Sequence, residues 1–80
     1  MLFEWDEKKN QKNLAKHGLA FEDVIEVFDD NVVTIPSDYA KEKRLITTGV
    51  WYGAHITIIS TRRKEKTRII SAREFAALFA

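Results

Sequence analysis

Three arginines stand close together in the second half of this sequence: Arg63, Arg68 and Arg73. A guanidinium fork matches phosphate oxygens bidentately, so the chemistry these residues could do is to clamp a phosphate. The bland alternative for Arg63 and Arg68 is that they are exposed strand residues that keep a sheet edge from pairing wrongly. Proton transfer would need other groups. Glu42 could accept a proton, or could pair with Lys43 or Arg44, an arrangement that contributes under about 1 kcal/mol at a surface. Histidine as a residue type titrates near neutrality, which makes His17 a candidate general acid or base. Standing just before Gly18, it could equally interact with the carbonyls that end a helix. His55 falls beside a turn with no obvious partner, and two lone histidines without a spaced carboxylate make a poor metal site. Trp51 and Tyr52 could stack on unpaired bases, or Trp51 could cap the core.

The elements that must position these residues follow from local pattern. Thr67 to Glu74 reads as a strand running into a helix. Ile69 and Ile70 are β-branched, and Ser71 and Glu74 have the spacing of a capping box, so the helix is expected to begin at Ala72. Arg73 then falls in the first helical turn, where a cation gains nothing from the dipole and an anion would be welcome.

Upstream, Leu2-Phe3-Glu4-Trp5 alternates as a first strand. Asp6 is the expected N-cap of a helix reaching His17, with Gly18 as its left-handed C-cap. That helix is very polar, and only Leu14 and Ala15 are expected to dock firmly, with Trp5 packing at its start. Phe21, Val24, Ile25 and Phe28 form the stripe of a second helix over 21–28, with Ala20 in its N-cap slot. Strands are expected at Val32 to Ile35, closed by Pro36 at an edge, then at Arg44 to Val50, His55 to Thr61 and Arg68 to Ser71. A polar loop spans Ser37 to Lys43, a turn Trp51 to Ala54, and a charged hairpin tip Arg62 to Lys66. The expected core is Phe21, Val24, Ile25, Phe28, Ile56, Ile58 or Ile59, and Ile69 or Ile70. Only one isoleucine of each adjacent pair can face the helices.

Eighty residues make one domain, residues 1–80, marginal on its own for lack of buried surface. There is no cysteine, which excludes disulfides, thiol chemistry and cysteine–zinc sites and fits a reducing, cytoplasmic home. No apolar run approaches a membrane span and no signal peptide opens the chain. Net charge is +1, but residues 1–40 hold four lysines against nine acids, while residues 41–80 hold nine Lys or Arg against three acids. Such polarity suggests a basic face that meets an anion, often nucleic acid; two solvated faces of opposite sign would look the same.

At this point the residues match a known pattern. Phe3-Glu4-Trp5-Asp6, Lys9, Asn13, Lys16-His17-Gly18 and Phe21-Glu22 resemble the opening of the BrnT family of bacterial type II toxins. Glu42, Arg44, Gly49, Thr61, Arg63 and Arg68-Ile69-Ile70-Ser71-Ala72-Arg73 resemble its second half. The resemblance implies an α+β, RelE-like fold: a small antiparallel sheet with two N-terminal helices on one face and a short C-terminal helix, in the order β-α-α-β-β-β-β-α. It implies a ribosome-independent endoribonuclease that inhibits translation and needs no metal or other cofactor. The partners implied are an RNA substrate, a BrnA-like ribbon-helix-helix antitoxin, and operator DNA through that antitoxin only. Under this reading Arg68, Arg73, Arg63, Glu42 and His17 are the catalytic candidates, and Arg44, Arg62, Lys64 and Trp51 are expected to bind RNA.

One departure stands out. The family usually continues with a longer basic helix, whereas this sequence reads Glu74-Phe75-Ala76-Ala77-Leu78-Phe79-Ala80, short and apolar. It sustains a second reading, a non-catalytic member that binds the antitoxin and tunes operon repression. A plain RNA-binding module, resting on the basic second half alone, is a third.

Overall fold

Asp6 opens the first helix as expected. In the computed structural model, which describes residues 2–39 and 42–74, its carboxylate accepts from the N–H of Lys8 at 2.8 Å and of Lys9 at 3.4 Å. Helix α1 then runs Glu7–His17 and stops at Gly18, whose φ of 72° lets its N–H return to the Leu14 carbonyl. Strand β1 (Leu2–Trp5) precedes it. Helix α2 (Phe21–Val24) tightens at once into a 3₁₀ turn, Ile25–Asp29. That tightening corrects the expected stripe. A 3₁₀ turn repeats every three residues, so Phe21, Val24 and Val27 are the fully buried set, while Ile25 and Phe28 are half-buried against it.

Strands β2 (Val33–Tyr39), β3 (Glu42–Trp51), β4 (Ala54–Arg63) and β5 (Lys66–Glu74) complete an α+β fold. The sheet order is β1-β5-β4-β3-β2. It is mixed rather than antiparallel, because β1 joins β5 in parallel from Leu2↔Lys66 to Trp5↔Ile69. β2 is an edge strand, and it passes through Pro36 to Tyr39 instead of ending there. At an edge, alternate N–H groups point away from the sheet, so a proline costs the ladder nothing. The expected loop from Ser37 to Lys43 therefore shrinks, with Ser37 paired to Arg44 and Asp38 to Lys43. Between β3 and β4, Tyr52 and Gly53 form a two-residue turn with φ of 50° and 80°, both positive as such a hairpin requires.

No helix begins at Ala72. β5 continues as strand to Glu74, paired with β4 through Ile58↔Ala72, Thr57↔Arg73 and Ile56↔Glu74. The local capping signal at Ser71 and Glu74 loses to the ladder that these residues make with β4. Phe75 to Ala80, including the apolar Phe75, Leu78 and Phe79, lie outside the described residues. With the helix goes the expected anion site at its N-terminus.

The core lies between the helices and one sheet face: Leu19, Phe21, Val24 and Val27 meet Ile56, Ile58, Ile69 and Ala72. Ile58 and Ile69 are the members of their pairs that face inward. Trp5 meets Phe21 edge-on at 6.1 Å, and Phe3 packs on Phe28 at 5.1 Å between ring centroids. The docking of α1 differs from expectation. Leu14 is 42% exposed and Ala15 is exposed, while Asn10 and Asn13 are buried at 1% and 7%. Among the described residues no helix is long and apolar enough to cross a membrane.

Candidate nucleic-acid interface

The site is built around an irregularity in β5. Ser60 pairs with Ile69 and Ile59 with Ser71, so Ile70 is an extra residue with no opposite number. A β-bulge of this kind re-aims the side chains that follow it. Arg68 and Arg73 are an odd number of residues apart and would face opposite ways in a regular strand. The bulge restores them to one face. Their cross-strand partners, Thr61 and Thr57, lie on that face of β4 with Ile59, and Ser71 stands between them. Among the described residues, this is the face that the helices do not cover.

By the same register, Arg63 and Lys66 pair with each other on that face, at the β4–β5 tip. Arg44 and Thr48 flank Ile46 there on β3, and Val50 pairs with His55. At the other end of the ladder, β1 contributes Glu4, in register with Arg68. Glu4 Oε2 accepts from Arg68 Nη1 at 3.1 Å, and its other oxygen lies 4.0 Å from Lys66 Nζ. The Arg68 guanidinium is therefore oriented, with 28% of the side chain exposed.

Beside the bulge, β1 has ended and α1 takes over the edge of β5. Two asparagines seat it. Asn10 Oδ1 accepts from the Phe21 N–H at 2.8 Å, and its Nδ2 donates to Glu22 at 2.7 Å and Glu7 at 2.8 Å. Asn13 Nδ2 donates to the carbonyls of Leu19 at 2.9 Å and Ala72 at 2.8 Å, while its Oδ1 accepts from the Ala72 N–H at 3.1 Å. Seated this way, α1 lines a shallow groove of about 320 Å³ with Lys9, Lys12, Asn13, Lys16 and His17, closed on the sheet side by Ile70 and Ser71. At the start of the helix, the N–H groups of Lys8 and Lys9 hold the Asp6 carboxyl below its ordinary range, with smaller help from the charges of Lys9 and Arg68.

The structure thus gathers Arg68, Arg73, Arg63 and Arg44 on one open face and puts His17 at the groove beside Ser71. Other candidates lie elsewhere. Trp51 packs against the core on the helix side, meets Tyr52 edge-on at 4.9 Å, and buries its indole N–H. Arg62 points to the opposite side from Arg63 and donates to Thr67 Oγ1 at 3.2 Å. Lys64 sits in the β4–β5 turn with φ of 56°. Glu42 opens β3 opposite Tyr39, and its side chain lies outside the described atoms. Among the described residues no three His, Asp or Glu side chains converge as metal ligands.

Sequence reasoning missed Glu4 and the lysine row of α1. Counting charge by halves of the chain assigned Lys9, Lys12 and Lys16 to an acidic half. Their spacing of i, i+3 and i+7 was the available signal, since it stacks them on one side of a helix.

A family model described as the ribonuclease toxin BrnT of type II toxin–antitoxin systems matches residues 5–77. No curated protein matches the chain.

Proposed function

We propose that this chain, which belongs to the BrnT family of ribonuclease toxins of type II toxin–antitoxin systems, is a RelE-like endoribonuclease that cleaves single-stranded RNA without metal or ribosome. The observation that carries this reading is the shared face of Arg68 and Arg73, which neither helix among the described residues covers. Metal-free cleavage uses the RNA's own 2′-OH. A base takes the hydroxyl proton, O2′ bonds to the adjacent phosphorus, and the P–O5′ bond breaks. An acid then protonates O5′, leaving a 2′,3′-cyclic phosphate and a 5′-hydroxyl. Negative charge gathers on the phosphorane oxygens, and paired guanidinium groups stabilise it. His17 and Glu42 are the candidates for the two proton transfers.

Membership of a type II system implies an antitoxin partner. We take it to be a BrnA-like ribbon-helix-helix protein through which the complex reaches operator DNA. The test is cleavage of a single-stranded RNA in EDTA by wild type and by Arg73→Ala. Wild type should cleave, and the variant should be slower by about 10²-fold, the scale of losing one donor to transition-state charge. Loss of wild-type cleavage in EDTA would overturn the metal-free mechanism. A folded wild type that cleaves under no condition would favour the antitoxin-binding, operon-tuning role.

A further inference from the structure

Lys9, Asn13 and Lys16 are not used by the open face of the sheet, yet the structure gives each of them a position. Asn13 is structural: all three of its hydrogen bonds go to backbone groups, two of them to Ala72 on β5. Its effect is to hold one side of α1 against the edge of β5, just where the bulge at Ile70 stands out. The lysines on that side are exposed, and among the described residues no acid lines the groove they form with Ser71 and Ile70. Ser71 also belongs to the open face, between Arg68 and Arg73, so the groove and that face meet at one residue. A basic wall, a hydroxyl and an apolar floor suit a phosphodiester backbone lying lengthwise along the helix. Lys9 to Lys16 spans roughly 10 Å of helix axis at 1.5 Å per residue, longer than a single phosphate.

We propose that the α1 groove is a second binding site, in which Lys9, Lys12 and Lys16 hold the phosphates of single-stranded RNA that flank the segment lying across Arg68 and Arg73. This rests on the RNA-cleaving reading of the open face and deepens it: the substrate turns over the edge of β5 at Ser71, and its length and salt sensitivity are set by α1.

The probe is a 2′-O-methyl oligoribonucleotide, which lacks the nucleophile and binds without being cut. Its affinity is measured against salt for wild type, for the triple variant Lys9→Gln/Lys12→Gln/Lys16→Gln, and for the charge-keeping triple Lys→Arg. Each phosphate neutralised on a single strand contributes about 0.7 to the slope of log affinity against log salt. The glutamine variant should therefore flatten that slope by about 2, and the arginine variant should keep it. All three side chains are exposed, and melting curves check that the variants are folded.

A glutamine variant with the wild-type slope, in a wild type that binds and cleaves RNA, would overturn the groove while leaving the open-face reading intact. A wild type that neither binds nor cleaves would overturn both. A glutamine variant that keeps its RNA slope but loses affinity for an acidic peptide would overturn the RNA assignment in favour of a protein ligand.

Discussion

Asn13 holds Ala72 by both of its backbone groups, accepting from the N–H at 3.1 Å and donating to the carbonyl at 2.8 Å. The parallel ladder from β1 ends at Trp5↔Ile69, so beyond that point β5 has no strand on this side among the described residues. Its N–H and C=O at Ala72, buried under α1, would be left unpaired. The Asn13 amide supplies one donor and one acceptor in the places a neighbouring strand would have offered them. Asn13→Ala should leave the Ala72 N–H, the Ala72 carbonyl and the Leu19 carbonyl unsatisfied, at about 1–3 kcal/mol for each buried group. Urea denaturation should show a loss of at least about 3 kcal/mol, a large part of the stability of so small a domain. Asn13→Asp should not rescue it, because a carboxylate cannot donate to the two carbonyls. A variant that melts like wild type would mean that packing alone seats α1.

A second packing contact fixes the other helical segment. A Cβ built on Gly49 would lie 2.6 Å from Val27 Cγ1 and 2.8 Å from Val32 Cγ1. Both contacts fall on β-branched side chains that cannot swing aside freely. Gly49→Ala should cost about 1–3 kcal/mol by overpacking. Val27→Ala opens a cavity on its own, yet in combination it removes the closer clash. The double variant should then be less destabilised than the sum of the singles, with a coupling on the order of 1 kcal/mol in denaturant melts. Strict additivity would place the 3₁₀ turn further from β3 than this.

What the sequence made legible was whatever is decided over a few residues. Asp6 and Gly18 bound α1 through bonds to neighbours two to four positions away, and Gly53 marks its own turn. One isoleucine of each pair had to face inward, and Ile58 and Ile69 do. What was not legible depended on partners far along the chain. Ser71 and Glu74 carry a local helix signal, but Ala72 is claimed by Ile58 on β4 and by Asn13, which stands 59 residues away. The bulge at Ile70 leaves no local mark, so nothing near Arg68 or Arg73 in the sequence shows that they share a face, and the helix start expected between them does not form. The buried asparagines were read as surface because polarity alone does not reveal that backbone groups wait for them.

Asp6 gives a prediction in pH. Its folded carboxyl titrates below its ordinary value of 3.8, chiefly because the charged form accepts from the N–H groups of Lys8 and Lys9. A depressed carboxylate contributes stability that is complete above its unfolded pKa and is lost as pH falls through the folded pKa. Asp6→Asn should therefore melt at a lower temperature than wild type at neutral pH. The gap should begin to close below about pH 4, where the unfolded chain takes up the proton, and should close further as the folded carboxyl titrates. A gap that stays constant down to the acid limit would assign the cap's effect to the side chain's shape rather than to its charge.

The last prediction concerns Glu4 and Arg68. Glu4 lies in register with Arg68 on the open face and binds it at 3.1 Å, so a phosphate arriving there competes with a carboxylate for one guanidinium. The pair is partly solvated, and pairs of this kind contribute under about 1 kcal/mol to stability. Glu4→Gln should leave the melting temperature nearly unchanged. It should tighten binding of a single-stranded RNA, because it removes a negative charge and releases Arg68, and it should steepen the salt slope by up to about 0.7. In an Arg68→Ala background the same substitution should lose most of that steepening, since only Lys66, at 4.0 Å, is left to release. If Glu4→Gln weakens RNA binding instead, the carboxylate is needed to aim the guanidinium, and Arg68 acts only as oriented by Glu4. If neither background responds, Arg68 does not touch the phosphate backbone, and the cationic work of the open face falls to Arg73, Arg63 and Arg44.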